Sequence, residues 1–156
     1  MNFKRRQFLA TTALTLVAGA LRVPMAAASG SLLERPIPAS GDMIPVIGMG
    51  TSGSFEVGTD AAARDPLREV LRRFVAGGAR LVDTAPSYGT AESVLGDLLA
   101  ELELRDQVFL ATKLSSVGRE AGAAQFAQSL ARLRTDKVEL LQVHNLRDWK
   151  IQLALA

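Results

Sequence analysis

Cysteine is missing from the 156 residues, and histidine, tyrosine and tryptophan occur once each. The lack of thiols excludes disulfides, thiolate metal sites and cysteine nucleophiles. Long apolar runs are missing too, because the most extended one (9–21) has about 13 residues where a membrane span needs ~20. With 48% hydrophobic and 22% charged residues, the chain is expected to bury the core of one domain rather than to stay disordered.

An excess of basic charge is also lacking in the body of the chain, although the formal net charge is +2. Lys4, Arg5, Arg6 and Arg22 lie within the first 28 residues, which contain no acidic side chain. Setting these four aside leaves 14 basic against 16 acidic residues, a net charge of −2. The body therefore has no basic stripe that would bind a phosphate backbone, and a nucleic-acid partner is excluded.

Residues 1–28 are typical of a secretory signal, with a basic start, a short apolar core and small residues at the end. Arg5 and Arg6, followed by Phe8 and Leu9, resemble the twin-arginine motif of bacterial export signals. The pattern predicts cleavage after Ala28, the twin-arginine export machinery as a partner and a periplasmic or exported location. A permanent membrane anchor is the weaker alternative because the apolar run is too short, so no stable span is expected after cleavage.

The rest of the chain divides into a short entry segment and an alternating body. Residues 29–45 are rich in proline, serine and glycine and predict a linker or small hairpin covering one end of the domain. Residues 46–156 form the second part. Apolar patterns predict strands at 45–51, 81–83, 108–113 and 138–143, separated by three amphipathic helices. Asp65 and Pro66 are expected to begin the first helix, and Gly77 to end it.

This β-α-β-α-β-α-β order requires a parallel sheet with right-handed crossovers, which Rossmann folds and (β/α)₈ barrels share. The segment Gly48–Gly53 matches the G-x-G-x-x-G pattern of a dinucleotide site. About a dozen residues separate this segment from the helix expected near Pro66. A phosphate could not sit on that helix N-terminus, as the motif requires, so the Rossmann alternative is disfavoured.

Polar side chains close three of the predicted strands at their carboxyl ends, where barrel enzymes carry their chemistry: Asp83, Lys113 and His144. Tyr88 follows Asp83 in a short loop and can fold over the same end. An ammonium beside a phenol stabilises the phenolate and so makes the phenol a better proton donor. A carboxylate would hold that ammonium in place, and an imidazole could donate a hydrogen bond to a carbonyl oxygen.

Each of these residues also has a purely structural interpretation. Tyr88 could cap the barrel, His144 could be a hydrogen-bonded core residue, and Asp83 could serve a turn or a helix cap. Against this, Tyr88 and His144 are unique in the chain, and Lys113 is one of three lysines after residue 28, against eleven arginines. Their coincidence at the strand ends favours a site.

Four ordered blocks resemble the aldo-keto reductase family: M-I-P-V-I-G-M-G-T, G-A-R-L-V-D-T-A-P-S-Y-G-T-A-E-S-V-L-G, L-A-T-K and S-L-A-R-L-R-T-D-K-V-E-L-L-Q-V-H. The resemblance implies an α/β fold, the first half (four β/α units) of a (β/α)₈ TIM barrel. It also implies NADPH-dependent reduction of aldehyde or ketone carbonyls, with a small carbonyl compound as substrate. By the same resemblance, the catalytic tetrad is Asp83, Tyr88, Lys113 and His144. The cofactor-binding positions are Thr51, Asp83 and Asn145.

Ser52 and Ser115 stand where many family members have tryptophan, so an aromatic substrate wall is not expected. A barrel of this class needs ~250 residues, whereas about 128 follow the signal, so we expect a truncated or partial enzyme without most of the cofactor-binding half. The alternative hypothesis is a non-catalytic half-barrel that dimerises or docks onto a partner through its open sheet edges.

Overall fold

The computed structural model describes residues 31–154. The predicted signal at residues 1–28 lies outside the described residues. In chain order the strands are β1 (Glu34–Pro36), β2 (Met43–Pro45), β3 (Gly48–Gly50), β4 (Leu81–Asp83), β5 (Phe109–Leu114) and β6 (Leu140–Val143). The α-helices are α1 (Ala61–Ala76), α2 (Ala91–Glu101), α3 (Arg119–Leu133) and α4 (Trp149–Gln152), and short 3₁₀ turns occupy Arg105–Gln107 and His144–Leu146.

The entry segment forms an antiparallel hairpin in which β1 pairs with β2 and Arg35 lies opposite Ile44. The connecting turn is closed by Ile37 N–H, which donates to Asp42 O at 2.9 Å. Gly41 adopts φ +80° in this turn, a left-handed conformation in which glycine has no steric cost. The hairpin thus leads the chain back to the start of β3.

The other four strands form one parallel sheet in the order β3-β4-β5-β6. A helix follows each of the strands, so neighbouring parallel strands are joined by crossovers as the sequence predicts. This confirms the fold class: the chain forms the first four β/α units of a (β/α)₈ barrel. The carboxyl ends of all four strands meet at one edge of the sheet, which places the residues following them close together.

The start of α1 corrects one prediction. The helix begins at Ala61 rather than at Pro66, and the N-cap is Asp60, whose carboxylate accepts from Ala62 N at 2.9 Å and Ala63 N at 3.4 Å. Pro66 therefore lies inside the helix. Because proline has no amide hydrogen, it cannot donate to the Ala62 carbonyl. Both residues are exposed, so water can satisfy that oxygen.

The hydrophobic core lies between the sheet and its helices. Alternate strand residues such as Val82 and Leu110 point towards the helices and are fully buried. The core side chains are Phe55, Leu71, Val82, Ala91, Val94, Leu95, Leu98, Leu99, Leu104, Val108, Leu110 and Leu133. Helix α2 supplies the largest share of them, which explains why it lies against both α1 and α3.

A salt bridge between Arg68 and Glu101 joins α1 to α2 at the surface. The Arg68 guanidinium donates to both carboxylate oxygens of Glu101, at 2.7 and 2.9 Å. These hydrogen bonds lower the pKa of Glu101 below its usual range. Because the pKa of Glu101 is lower in the folded state, its salt bridge with Arg68 stabilises the fold at pH values above the usual pKa of glutamate. This stabilisation is lost as the pH falls through the folded-state pKa of Glu101.

The opposite face of the sheet carries apolar side chains at the amino ends of the strands. Leu81, Phe109 and Leu140 line a cavity of about 580 Å³ there, together with Ile37 and Ile44 from the hairpin. The polar residues lie at the other end of the same face. Within residues 31–154, no helix has the length and apolar character needed to cross a membrane.

Gly96 sets the distance between α2 and α3 and provides a test of the packing. A Cβ at this position would lie 2.3 Å from Arg132 O and 2.6 Å from the Cα of Leu133. We therefore expect Gly96→Ala to lower the free energy of unfolding by about 1–3 kcal/mol, through overpacking against a backbone that cannot move aside. The measurement is urea unfolding followed by circular dichroism.

Helix propensity gives the opposite expectation for this substitution, because alanine in a helix is favoured over glycine by about 1 kcal/mol. A Gly96→Ala variant more stable than the wild type would contradict the close packing of the two helices. Ala100→Ser, at an exposed position of the same helix, is the matched control and should change stability by less than about 0.5 kcal/mol.

Candidate active site

The strand register brings the candidate residues to one face of the sheet. Asp83 pairs with Ala111, and Lys113 lies two residues further along β5, on the same side. Lys113 pairs in turn with Gln142 of β6, and His144 follows two residues later. Since the residues between them point towards the helices, the polar side chains share the face that becomes the inside of a barrel.

An ion pair occupies the centre of this group. Lys113 Nζ donates to Asp83 Oδ2 at 2.5 Å and to the backbone oxygen of Thr84 at 2.8 Å. The lysine side chain is 11% exposed and the aspartate side chain 34% exposed, so the ammonium is the more deeply buried partner. The two charges compensate each other, which allows an ammonium to be held at this depth.

Tyr88 lies over this ion pair. Its loop is folded by two backbone hydrogen bonds, from Tyr88 N to Ala85 O at 3.1 Å and from Ala91 N to Tyr88 O at 2.8 Å. Lys113 Nζ lies 5.0 Å from the centre of the phenol ring. The ring is half-buried and meets the His144 imidazole edge to face, with 5.8 Å between centroids and an interplanar angle of 88°. The positive charge is thus held next to the phenol.

His144 is oriented by a residue of the Tyr88 loop. Its Nδ1 lies 3.2 Å from the Ser87 hydroxyl oxygen. Among residues 31–154, neither Nε2 of His144 nor the Tyr88 hydroxyl has a hydrogen-bond partner. Both groups are therefore available to a ligand at the open end of the sheet.

The remaining two predicted positions lie around the same end. Thr51 is fully buried, and its hydroxyl and its amide both donate to the Asp83 backbone oxygen at 3.1 Å, which ties the end of β3 to β4. Asn145 is exposed, directly follows His144 and has φ +54°, a left-handed conformation that asparagine tolerates better than most residues. The structure thus brings all six predicted residues to the carboxyl end of the sheet.

Two neighbours of these residues were not predicted from the sequence. Gln142 donates from Nε2 to Asp83 Oδ1 at 2.8 Å, and Ser87 contacts His144 as described. The alternation of β6 puts Gln142 on the same face as His144, which was the available signal, but its partner depends on a contact across two strands. Ser87 has no comparable pattern because it lies in a loop.

A second network lies behind the strand that carries Lys113. Glu92 at the start of α2 is 2% exposed and accepts from the buried Thr112 hydroxyl at 2.8 Å. Arg132 of α3 donates to its other oxygen at 3.3 Å. Because Thr112 is the chain neighbour of Lys113, this network fixes β5 to both helices. The one signal in the sequence was a carboxylate within the otherwise apolar face of α2.

The functional groups at this end of the sheet are the Tyr88 phenol, the His144 imidazole and the Lys113 ammonium, whose charge is compensated by Asp83. Such a set suits proton donation to an oxygen that gains negative charge. In the described part of the chain, no three His, Asp or Glu side chains come together in a way that could hold a metal ion. Of the three predicted cofactor-binding positions, Asp83 and Asn145 are accessible at this end of the sheet, whereas Thr51 is fully buried.

Comparison with known proteins identifies the class of protein. The model of the Aldo/keto reductase family matches residues 46–152, so the chain belongs to this family. It is 37% identical over 113 residues to the aldo-keto reductase YhdN of Bacillus subtilis, covering 63% of this chain and 33% of that protein. It is 35% identical over 116 residues to the methylglyoxal reductase YeaE of Escherichia coli, covering 71% and 39%.

The fold agrees with that of solved family structures. An aldo-keto reductase from Klebsiella pneumoniae in complex with NADPH superposes with a TM-score of 0.64 at 27% identity, covering 80% of this chain and 46% of that one. The chain spans about a third to two fifths of the length of the two curated relatives that it matches.

Proposed function

We propose that this chain carries the proton-donating centre of an NADPH-dependent reductase that converts aldehydes or ketones to alcohols. The observation that carries the proposal is that the Tyr88 ring lies 5.0 Å from the Lys113 ammonium and meets the His144 imidazole edge to face, at the carboxyl ends of parallel strands. Membership of the aldo/keto reductase family supports the same reaction class.

The space beside the Asp83 carboxylate is open at this end of the sheet. A Cβ built on Gly50 would have no atom within 4 Å, and Gly50 pairs with Asp83, so the space next to the carboxylate is open. The Asn145 side chain is exposed and offers both a donor and an acceptor, which matches a carboxamide group. Asp83 and Asn145 are therefore the residues proposed to hold the nicotinamide part of the cofactor, which when bound supplies a hydride. The buried Thr51 is proposed to act indirectly, through its hydrogen bonds to the Asp83 backbone oxygen.

Tyr88 is proposed as the acid. As the carbonyl oxygen gains negative charge, the phenol donates its proton, the O–H bond of the new alcohol forms, and the resulting phenolate is stabilised by the Lys113 ammonium. Asp83 keeps the ammonium in position and compensates its charge when the phenol is neutral. Water then returns a proton to the phenolate.

His144 is proposed to orient the substrate. We assign the Ser87 hydroxyl as the donor to Nδ1, which leaves the proton of the imidazole on Nε2, from which it can donate a hydrogen bond to the carbonyl oxygen. This hydrogen bond strengthens as the oxygen becomes an alkoxide, so it favours the transition state over the bound substrate.

The non-catalytic half-barrel remains the competing hypothesis, with self-association or docking through the sheet edges. Leu140 is 42% exposed on edge strand β6. However, docking through an edge would not require a phenol, an ammonium and an imidazole at the strand ends, so the geometry favours the catalytic proposal.

The proposed acid can be tested by Tyr88→Phe, which removes one hydroxyl and leaves the ring in place. We expect turnover to fall by about 10²–10⁴-fold because general acid catalysis is lost. The dissociation constant for NADPH should stay within about twofold, because the hydroxyl is not a proposed cofactor contact. Turnover follows from the absorbance of the reduced nicotinamide and binding from its fluorescence. Phe126→Leu, on α3, serves as a control for general destabilisation, and unchanged turnover in Tyr88→Phe would exclude this acid.

We also propose that residues 1–28 direct export through the twin-arginine machinery. The support is the adjacent Arg5 and Arg6 before an apolar segment and an alanine-rich end. In a bacterium with this machinery, Arg5→Lys combined with Arg6→Lys in the full chain should leave an uncleaved precursor in the cytoplasm. Cell fractionation and immunoblotting measure this outcome. Lys4→Arg retains the charge and is the matched control, and unimpaired export of the double variant would contradict the proposal.

A further inference from the structure

Gln142 is an unusual residue for its strand. Strand β6 reads Leu140-Leu141-Gln142-Val143, so a polar amide stands between apolar neighbours on a half-buried element. The register with Lys113 puts it on the face that carries the proposed site. A half-buried amide costs free energy unless it is hydrogen-bonded, so its partner indicates what the residue does.

That partner is the carboxylate of the ion pair. Gln142 Nε2 lies 2.8 Å from Asp83 Oδ1, while Lys113 Nζ donates to Oδ2. An ionised carboxylate only accepts hydrogen bonds, so the amide must present its nitrogen rather than its oxygen. The two oxygens of Asp83 therefore have two different donors, one on β5 and one on β6.

This arrangement limits how Asp83 can turn. With Oδ1 engaged by the amide, a single carboxylate oxygen is left for Lys113. The ammonium donates a second proton to Thr84 O at 2.8 Å, and its Nζ lies 5.0 Å from the centre of the Tyr88 ring. If the carboxylate were free to turn, both oxygens could approach the ammonium and draw it away from the phenol.

The Gln142 amide is uncharged, and this suits its contact with the Asp83–Lys113 ion pair as much as its length does. The Asp83–Lys113 pair has no net charge, and a neutral donor leaves that balance unchanged. A lysine or arginine here would compete with Lys113 for the carboxylate, and a carboxylate here would repel Asp83 at close range. An amide can engage Asp83 without either effect.

We propose that Gln142 is a positioning residue that fixes the Asp83 carboxylate, so that the Lys113 ammonium faces the phenol of Tyr88. The role rests on the proposed function, because it assumes that Tyr88 donates the proton. It extends the site by a residue that touches neither the carbonyl substrate nor the cofactor in the proposed arrangement.

The kinetic test compares Gln142→Leu with Gln142→Glu in the full chain. Gln142→Leu should lower kcat by about tenfold, because a hydrogen bond to a charged group is lost, while KM for NADPH changes less than about twofold. Above neutral pH, Gln142→Glu should lose more activity than Gln142→Leu. It should then regain activity relative to wild type as the pH falls, because the introduced carboxyl, once protonated, can again donate to Asp83.

The ratio to wild type is taken at each pH for both variants, and the titratable groups that face this position are Asp83, Lys113, Tyr88 and His144. A role that only stabilises the strand would lower the thermal stability of Gln142→Leu but leave its kcat unchanged at temperatures where the variant is fully folded. A flat ratio, or an unchanged kcat in Gln142→Leu, would overturn the proposal.

A second measurement does not depend on activity. The side-chain amide protons of Gln142 should exchange with water at least about tenfold more slowly than those of Gln128, which is exposed on α3, as followed by NMR. Equal exchange rates would show that the contact with Asp83 is not held in solution and would overturn the proposal. If the wild-type chain oxidises no NADPH with any carbonyl compound, the proposed function fails, while the exchange rates still decide whether Gln142 holds the carboxylate.

Discussion

The Asp83–Lys113 ion pair is the interaction on which the proposed site depends. It forms because β4 and β5 are parallel neighbours whose register places the two side chains on one face, two residues apart along the strands. The Asp83 carboxylate offsets the free-energy cost of burying the Lys113 ammonium, whose side chain is only 11% exposed. The ammonium in turn lies 5.0 Å from the centre of the Tyr88 ring, as the proposed proton donation requires.

The helices on the other face hold this pair in place. Glu92 ties the Thr112 hydroxyl, next to Lys113 in the chain, to both α2 and α3. Gly96 lets those two helices approach until the backbones touch. The buried leucines of α2 then fill the space against Val82 and Leu110. The position of the ammonium is therefore a consequence of helix packing as well as of strand register.

Strand alternation was sufficient to predict Asp83, Lys113 and His144 at one end of a parallel sheet, because a period of two residues determines which face a side chain takes. The start of α1 was harder to predict: Ala61–Ala63 form helix readily but carry no apolar repeat, so Asp65 and Pro66 were the stronger local signals. Gln142 and Ser87 could not be assigned, because their partners lie 59 and 57 residues away in sequence. Their contacts exist only once the strands are in register.

The most direct measurement of this account is the turnover of Lys113→Met compared with Lys137→Met. Both changes remove one ammonium and keep an unbranched side chain, but Lys137 is exposed and lies before β6, away from the phenol. The account predicts that Lys113→Met loses about a hundredfold or more of carbonyl reduction while NADPH binding is retained, and that Lys137→Met behaves as wild type. Equal turnover of the two variants would contradict the central claim that a paired ammonium makes Tyr88 the proton donor.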